Sequence, residues 1–186
     1  MSDAAVLLMD PKYPHNVGGA LRACANLGAH TLRWTGDRVT DERGVARTYP
    51  DMPNNAKKWR LPREERMKAW QHVDWGMSED QTHPLNDFED GFGFVPVCVE
   101  VLDRAEDLTF FEHPQKAVYV FGPEDGSVSK GMREACWRFV RIPSDSCLNL
   151  AAAVNVILYD RRMKSYLRAQ DVLRPRQDRP EGTRIA

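Results

Sequence analysis

No apolar run in this sequence approaches the roughly 20 residues that a membrane-spanning helix needs. The opening MSDAAVLLMDP carries no basic region ahead of its short apolar run, so it is not expected to act as a secretory signal. Cysteine is scarce: Cys24, Cys98, Cys136 and Cys147 stand far apart with no C-x-x-C pair, which argues against a disulfide framework or a zinc site. The five histidines are equally dispersed, and a metal enzyme is not expected. An excess of positive charge is also missing, since 26 Lys and Arg meet 27 Asp and Glu for a net charge of -1. A globally basic nucleic-acid binder is thereby excluded. The expectation is a cytoplasmic protein without metal or membrane.

What is present fits one globular domain: 186 residues, 42% of them hydrophobic and 28% charged. Charge is unevenly placed. From Arg161 to the end, eight Lys and Arg face three Asp and Glu. The stretches AKKWR and RVTDERGVAR add basic spots earlier. Such patches can bind phosphates even when the total is neutral, although a solvated helix face and a frayed tail read the same way. The expected division is a single domain over residues 1–170 and a disordered basic tail over 171–186.

Along the chain, strand and helix patterns alternate. AAVLLM reads as a buried strand, followed by a turn-rich DPKYPHN and a helix VGGALRACANLG that Asn16 would cap and Gly28 would end. HTLRWTG reads as a second strand. Residues 36–93 are polar and turn-rich, with one helix expected at PREERMKAW. GFVPVCVEVL reads as a strand whose Pro96 points to an edge or a strand start. KAVYVFG is strongly strand-like, a short helix follows over about 128–136, and WRFVRIP is the next strand. A last helix runs from near Leu148 to about Leu167. The pattern predicts an α/β fold with a mostly parallel sheet flanked by helices. In such sheets ligands bind beyond the carboxyl ends of the strands. Three polar segments directly follow predicted strands and would converge on that edge: DPKYPHNVGG, GPEDGSVSKG and PSDSCLN.

Each segment alone is ordinary. The glycines of GPEDGS match neither a dinucleotide fingerprint nor a phosphate-binding P-loop. Together and in this order, the three resemble the motifs of the SpoU-like branch of the SPOUT RNA methyltransferases. The first motif is matched by Asn16, Gly18 and Arg22, the second by Gly122, Glu124 and Gly126. Ile142, Pro143, Leu148 and Asn149 match the third. Two positions depart from the family pattern: Cys147 stands where the family has Ser before Leu-Asn, and Ala151 where a second Ser is frequent. The loop from Ile-Pro to Leu-Asn is also short.

The resemblance implies a SPOUT fold with a deep C-terminal trefoil knot, a homodimer formed through the C-terminal knot helix, and S-adenosyl-L-methionine as cofactor. It places cofactor contacts at Val99, Glu100, Gly122, Glu124, Ile142, Cys147, Leu148 and Asn149. Arg22, Asn16 and Asn149 become the catalytic candidates. The implied substrate is RNA, with transfer to a ribose 2′-OH. tRNA is favoured over rRNA because no extra N-terminal RNA-binding domain is evident. A base methyltransferase and a catalytically silent RNA-binding protein are the alternatives.

A hydroxyl is a poor nucleophile until a base or hydrogen bond activates it. Arginine, with a pKa above about 12, is an awkward base, so Arg22 would act by orienting the hydroxyl or by fixing a phosphate that takes the proton. RNA contacts are expected from Arg33, Trp34, Arg38, Lys57, Lys58 and Trp59, and from Arg161, Arg162 and Lys164. Tyr159 is expected in core or dimer packing, and Asn155 in an interhelical hydrogen bond.

Overall fold

The computed structural model describes residues 3–39, 69–88 and 93–170. Two continuous apolar runs dictate its centre. Strands β1 (Asp3–Leu8) and β6 (Lys116–Phe121) are each buried at every position after the first, as strands covered on both faces must be. They pair in parallel along their full lengths. Around them a seven-stranded sheet forms in the order β3-β2-β1-β6-β4-β7-β5, with every pairing parallel. The outer members are β2 (Thr31–Trp34), β3 (Asp74–Met77), β4 (Val95–Val99), β5 (Glu106–Asp107) and β7 (Arg138–Arg141).

Helices α1 (Pro14–Leu27) and α3 (Leu150–Ala169) pack together on one face of the sheet, over Val6, Leu8, Val97, Tyr119 and Val140. The short α2 (Lys130–Ala135) and a 3-10 turn (Pro84–Phe88) cover the other, over Ala5, Leu7, Cys98, Val118 and Val120. Gly19 is what lets the two long helices meet. A Cβ on it would stand 2.8 Å from that of Ala151.

Several expectations need correction. Of the two expectations for Pro96, the strand start holds and the edge does not, since it is the second residue of β4, an interior strand. Its carbonyl accepts from Trp137 on the β7 side, and the β4–β7 ladder begins one residue later at Val97 and Arg138. The missing N–H therefore costs no ladder bond. Strand β3 came from a stretch read as polar loop. The PREERMKAW helix falls almost wholly outside the described residues, which resume with a 3-10 turn (Ala69–His72). The tail from residue 171 also lies outside them.

Arg161, expected at an RNA surface, is buried. Its guanidinium donates to the carbonyls of Asp3 (2.8 Å), Pro114 (2.6 Å) and Gln115 (2.7 Å) and to the Tyr119 hydroxyl (3.1 Å). Burial pushes the Tyr119 phenol up to about 12, so it stays a neutral partner. Alongside, His113 bridges that hydroxyl (2.6 Å) and Asp160 (2.8 Å). Lys164 pairs with Asp160 at 2.7 Å and donates to the carbonyls of Leu108 and Phe111. Thus the second half of α3 is fastened to the 108–115 connection by polar bonds. Arg161→Ala strands several buried acceptors at once and is expected to cost about 3 kcal/mol or more, read as a fall in thermal or urea midpoint.

The connection from β4 to β6 makes a wide detour. Arg104 lies over the Phe139 ring at 3.6 Å on the α2 side. The chain then pairs outside β7 as β5 and returns on the α3 side through Leu108 and Phe111. Strand β7 is consequently encircled by that connection.

Candidate active site

The sheet's chain order reverses between β1 and β6, and the crevice beyond their carboxyl ends is where such sheets bind ligands. Glu124, in the loop after β6, spans that crevice. Its carboxylate accepts from the backbone N–H of Lys12 (2.7 Å) and of Tyr13 (3.4 Å), and from the side-chain amide of Asn16. Burial opposes the charge. The Lys12 amide and the Asn16 side chain outweigh it and, with further backbone donors, hold this carboxyl below the usual glutamate range.

Asn16 does not cap α1. Pro14 occupies the first turn and Tyr13 is the N-cap residue, without a side-chain cap bond, so Asn16 sits inside the helix and is buried. Its carbonyl oxygen accepts from the amide of Asn149 at 2.9 Å. Asn149 in turn is the N-cap of α3, accepting from the N–H of Ala151 (2.9 Å) and Ala152 (3.3 Å). A continuous chain of hydrogen bonds therefore runs from Glu124 through Asn16 to Asn149 and joins all three polar segments. This geometry gives the two asparagines a positioning task. Asn155 instead donates to Ala151 of its own helix and is exposed.

Beside this chain lies a cleft of about 160 Å³, walled by the ends of β4, β6 and β7 and the start of α3. Val99, Glu100, Gly122, Glu124, Ile142, Cys147 and Leu148 all line it, together with Phe121, Leu150 and Ala153. Asn149 stands behind the cleft rather than in its wall. Cys147 is exposed and presents a thiol there. Glu100 is held in place by accepting from the N–H of Val128 (3.0 Å) and Val101 (3.2 Å). Among the lining residues the only charged side chains are Glu100 and Glu124. An apolar body bearing positive charge suits such a wall, whereas a polyphosphate does not.

Gly122 is required by packing. A Cβ there would lie 2.8 Å from the backbone nitrogen of Val128 and would press the whole Gly122–Val128 loop outward. Gly122→Ala is expected to cost about 1–3 kcal/mol and to weaken ligand binding in this cleft, read by urea unfolding and calorimetric titration.

Arg22 is exposed on α1 and does not line the cleft. Of the expected RNA contacts, Trp34 is buried and stacked on Trp75 with ring centroids 6.0 Å apart, so it offers no face to a base. Its inward direction follows from the alternating burial of β2, which sequence alone did not fix. Arg33 pairs with Asp74, and Arg162 donates to the Asn26 carbonyl. Lys57, Lys58 and Trp59 lie outside the described residues. Reading by motif missed Lys12, Tyr13 and Asp125; the first two reach Glu124 through backbone amides, which leave no side-chain signal, and Lys12 also pairs with Asp125. Among the described residues no group of three His, Cys, Asp or Glu could hold a metal ion, and no helix is long and apolar enough to cross a membrane.

Comparisons with known proteins bear on the fold and the family. No curated protein matches the chain. Among solved structures, AviRb, a SpoU methyltransferase from Streptomyces viridochromogenes in complex with AdoMet, superposes with a TM-score of 0.68 at 23% identity. The match covers 89% of this chain and 61% of that one, so this chain spans about three fifths of AviRb. The TrmH/SpoU tRNA modifying enzyme of A. aeolicus gives 0.69 at 19% identity, covering 91% of this chain and 78% of that one. A structure described as giving insights into the 2-OH methylation of C/U34 on tRNA gives 0.63 at 21% identity, covering 91% and 98%. At these identities the likeness is one of fold. The profile of the SpoU rRNA methylase family, however, matches residues 3–159, and the chain belongs to that family.

Proposed function

We propose that this protein is an S-adenosylmethionine-dependent RNA methyltransferase that modifies a ribose 2′-OH, with tRNA favoured over rRNA. The observation that carries the reading is the cleft itself: apolar walls, two carboxylates and, among the described residues, no cationic side chain, set at the carboxyl ends of β4, β6 and β7 and braced by the Glu124–Asn16–Asn149 chain. Those residues fit the cofactor. Val99, Phe121, Ile142 and Leu148 give an adenine its apolar slot, and Glu100 and Glu124 offer negative charge toward a sulfonium. When bound, the cofactor supplies an activated methyl group and needs neither a metal nor a nucleotide energy source.

The chain's own residues do the rest. Glu124 and the two asparagines hold three loops in one geometry and so shape the cleft before ligand arrives. Transfer to tRNA is supported by the A. aeolicus and C/U34 structures, of whose chains this one covers 78% and 98%. A homodimer belongs to the same reading. Helix α3 exposes Val156, Tyr159 and Tyr166 at helical spacing, a stripe suited to a second copy. We place the protein in the cytoplasm and infer that α3 is threaded as a trefoil knot, which the encirclement of β7 supports.

The test is transfer of labelled methyl from S-adenosylmethionine to bulk tRNA and rRNA, followed by digestion to nucleosides. Label on a ribose of tRNA is expected. Label confined to rRNA would reverse the preference, label on a base would move the acceptor, and cofactor binding without labelling of any RNA would overturn the enzymatic reading.

A further inference from the structure

We propose that Arg38 is a positioning residue for this site, holding the Gly122–Val128 loop in the register that aims Glu124 at Asn16; the proposal rests on the methyltransferase reading above. Arg38 lies in the loop after β2, on the far side of β1 from the loop it controls. Its Nη1 donates to both oxygens of Asp125, at 3.0 and 3.1 Å. Its Nε lies 3.0 Å from an Asp10 carboxylate oxygen, and Nη2 donates to the Asp10 carbonyl. One guanidinium thus joins the loops that follow β1, β2 and β6.

The β1 loop is shaped to receive it. Asp10 adopts a left-handed φ of 45°, with its N–H donating to Thr35 Oγ1 at 3.0 Å. Its carboxylate occupies the space where a Cβ on Gly36 would stand, and Gly36 itself holds a left-handed φ of 76° that favours glycine.

Asp125 directly follows Glu124, and the two side chains have different partners. Glu124 takes the amides of Lys12 and Asn16, whereas Asp125 takes Arg38 and the Lys12 ammonium at 3.1 Å. The loop is therefore gripped at two successive residues, which fixes its rotation as well as its distance. Charge leads to the same conclusion. Asp10, Glu124 and Asp125 bring three carboxylates to one place, and among the described residues the cations paired with them are Arg38 and Lys12. The Asp125 carboxyl is held below its usual range by Arg38 first and by Lys12 second. A lysine at position 38 could not reproduce contacts to two side chains and a carbonyl at once.

Arg38→Gln in the full-length chain tests this, alone and combined with Glu124→Gln. The readouts are cofactor affinity by calorimetry, kcat and KM on the RNA that wild type labels, and the side-chain amide resonances of Asn16. Arg38→Gln is expected to lower kcat about 10-fold. It should move the Asn16 amide resonances toward their positions in Glu124→Gln, and add no more than about twofold loss in the Glu124→Gln background. Arg38→Lys should recover only part of the rate. An unchanged kcat with a raised KM for RNA and a shallower salt dependence would make Arg38 a phosphate contact and overturn the proposal. Equal losses in both backgrounds, or Asn16 resonances at their wild-type positions, would do the same. Should wild type label no RNA, the methyltransferase reading fails separately, while the Asn16 resonances still decide whether the clamp exists.

Discussion

Alanine at position 22 is expected to reduce methyl transfer on the order of 10²–10⁴-fold while leaving cofactor affinity close to wild type. The reason is helical geometry. Six residues at about 100° each turn Arg22 some 120° away from Asn16 around α1. Asn16 therefore faces the crevice of its own chain, whereas Arg22 is exposed and outside the cleft wall. In a dimer built on α3, which packs against α1, Arg22 would serve the partner's cleft. A guanidinium would orient a hydroxyl or a phosphate there and not act as the base. Mixing subunits tests the arrangement directly. Arg22→Ala chains keep a sound cleft, and Glu124→Ala chains keep a sound arginine. Neither homodimer should work, yet a randomised equal mixture should regain about a quarter of wild-type activity, because half the dimers are mixed and each has one complete site. No recovery would mean that Arg22 serves its own chain.

Glu124→Gln is the second large effect. Glutamine keeps the volume but replaces one acceptor oxygen with an NH₂ group that would meet the donors of Lys12, Tyr13 or Asn16. The loops separate by a fraction of a residue, and a loss in kcat of about 10²-fold is expected. The pH dependence carries a definite sign. The folded-state pKa of Glu124 is depressed, so its contribution to stability is complete above the unfolded glutamate range and disappears as pH falls through the depressed value. Wild type should accordingly exceed the Gln variant in thermal midpoint at neutral pH. The two should converge as acidification protonates the carboxylate. A gap that stays constant down to the acid limit would show that the charge of Glu124 is not what holds the loops.

The strand pattern made the three polar segments legible, since apolar runs such as KAVYVF announce themselves, and the family resemblance supplied the individual site residues within them. Seven of the eight expected cofactor contacts line one cleft. What was not legible has physical causes. Strand β3, DWGM, has neither an apolar run nor β-branched residues, and it exists because β2 offers it a parallel edge. Strand β5 is two residues long and is created by a detour of the chain. Pro96 signalled an edge or a strand start, and only the ladder register reveals that it is the latter, with a harmless missing donor. Arg161 and Trp34 carry surface-compatible chemistry and are buried because backbone carbonyls and a second tryptophan wait for them. Asn16 looked like a cap, and the proline two residues before it moved the helix start upstream.

The Asn16–Asn149 bond joins residues 133 positions apart, and Arg161 reaches back to Asp3 over 158. On a ribosome, the Asp3 carbonyl and the Asn16 side-chain oxygen must therefore wait for the last helix and its cap before their donors arrive. Such distant closures are slow to form. Until Asn149 and α3 emerge, the side-chain oxygen of Asn16 lacks its donor and the cleft lacks a wall. Ligand-binding competence would then arrive in one late step, and an interrupted chain would hold no half-made site to compete for cofactor or RNA.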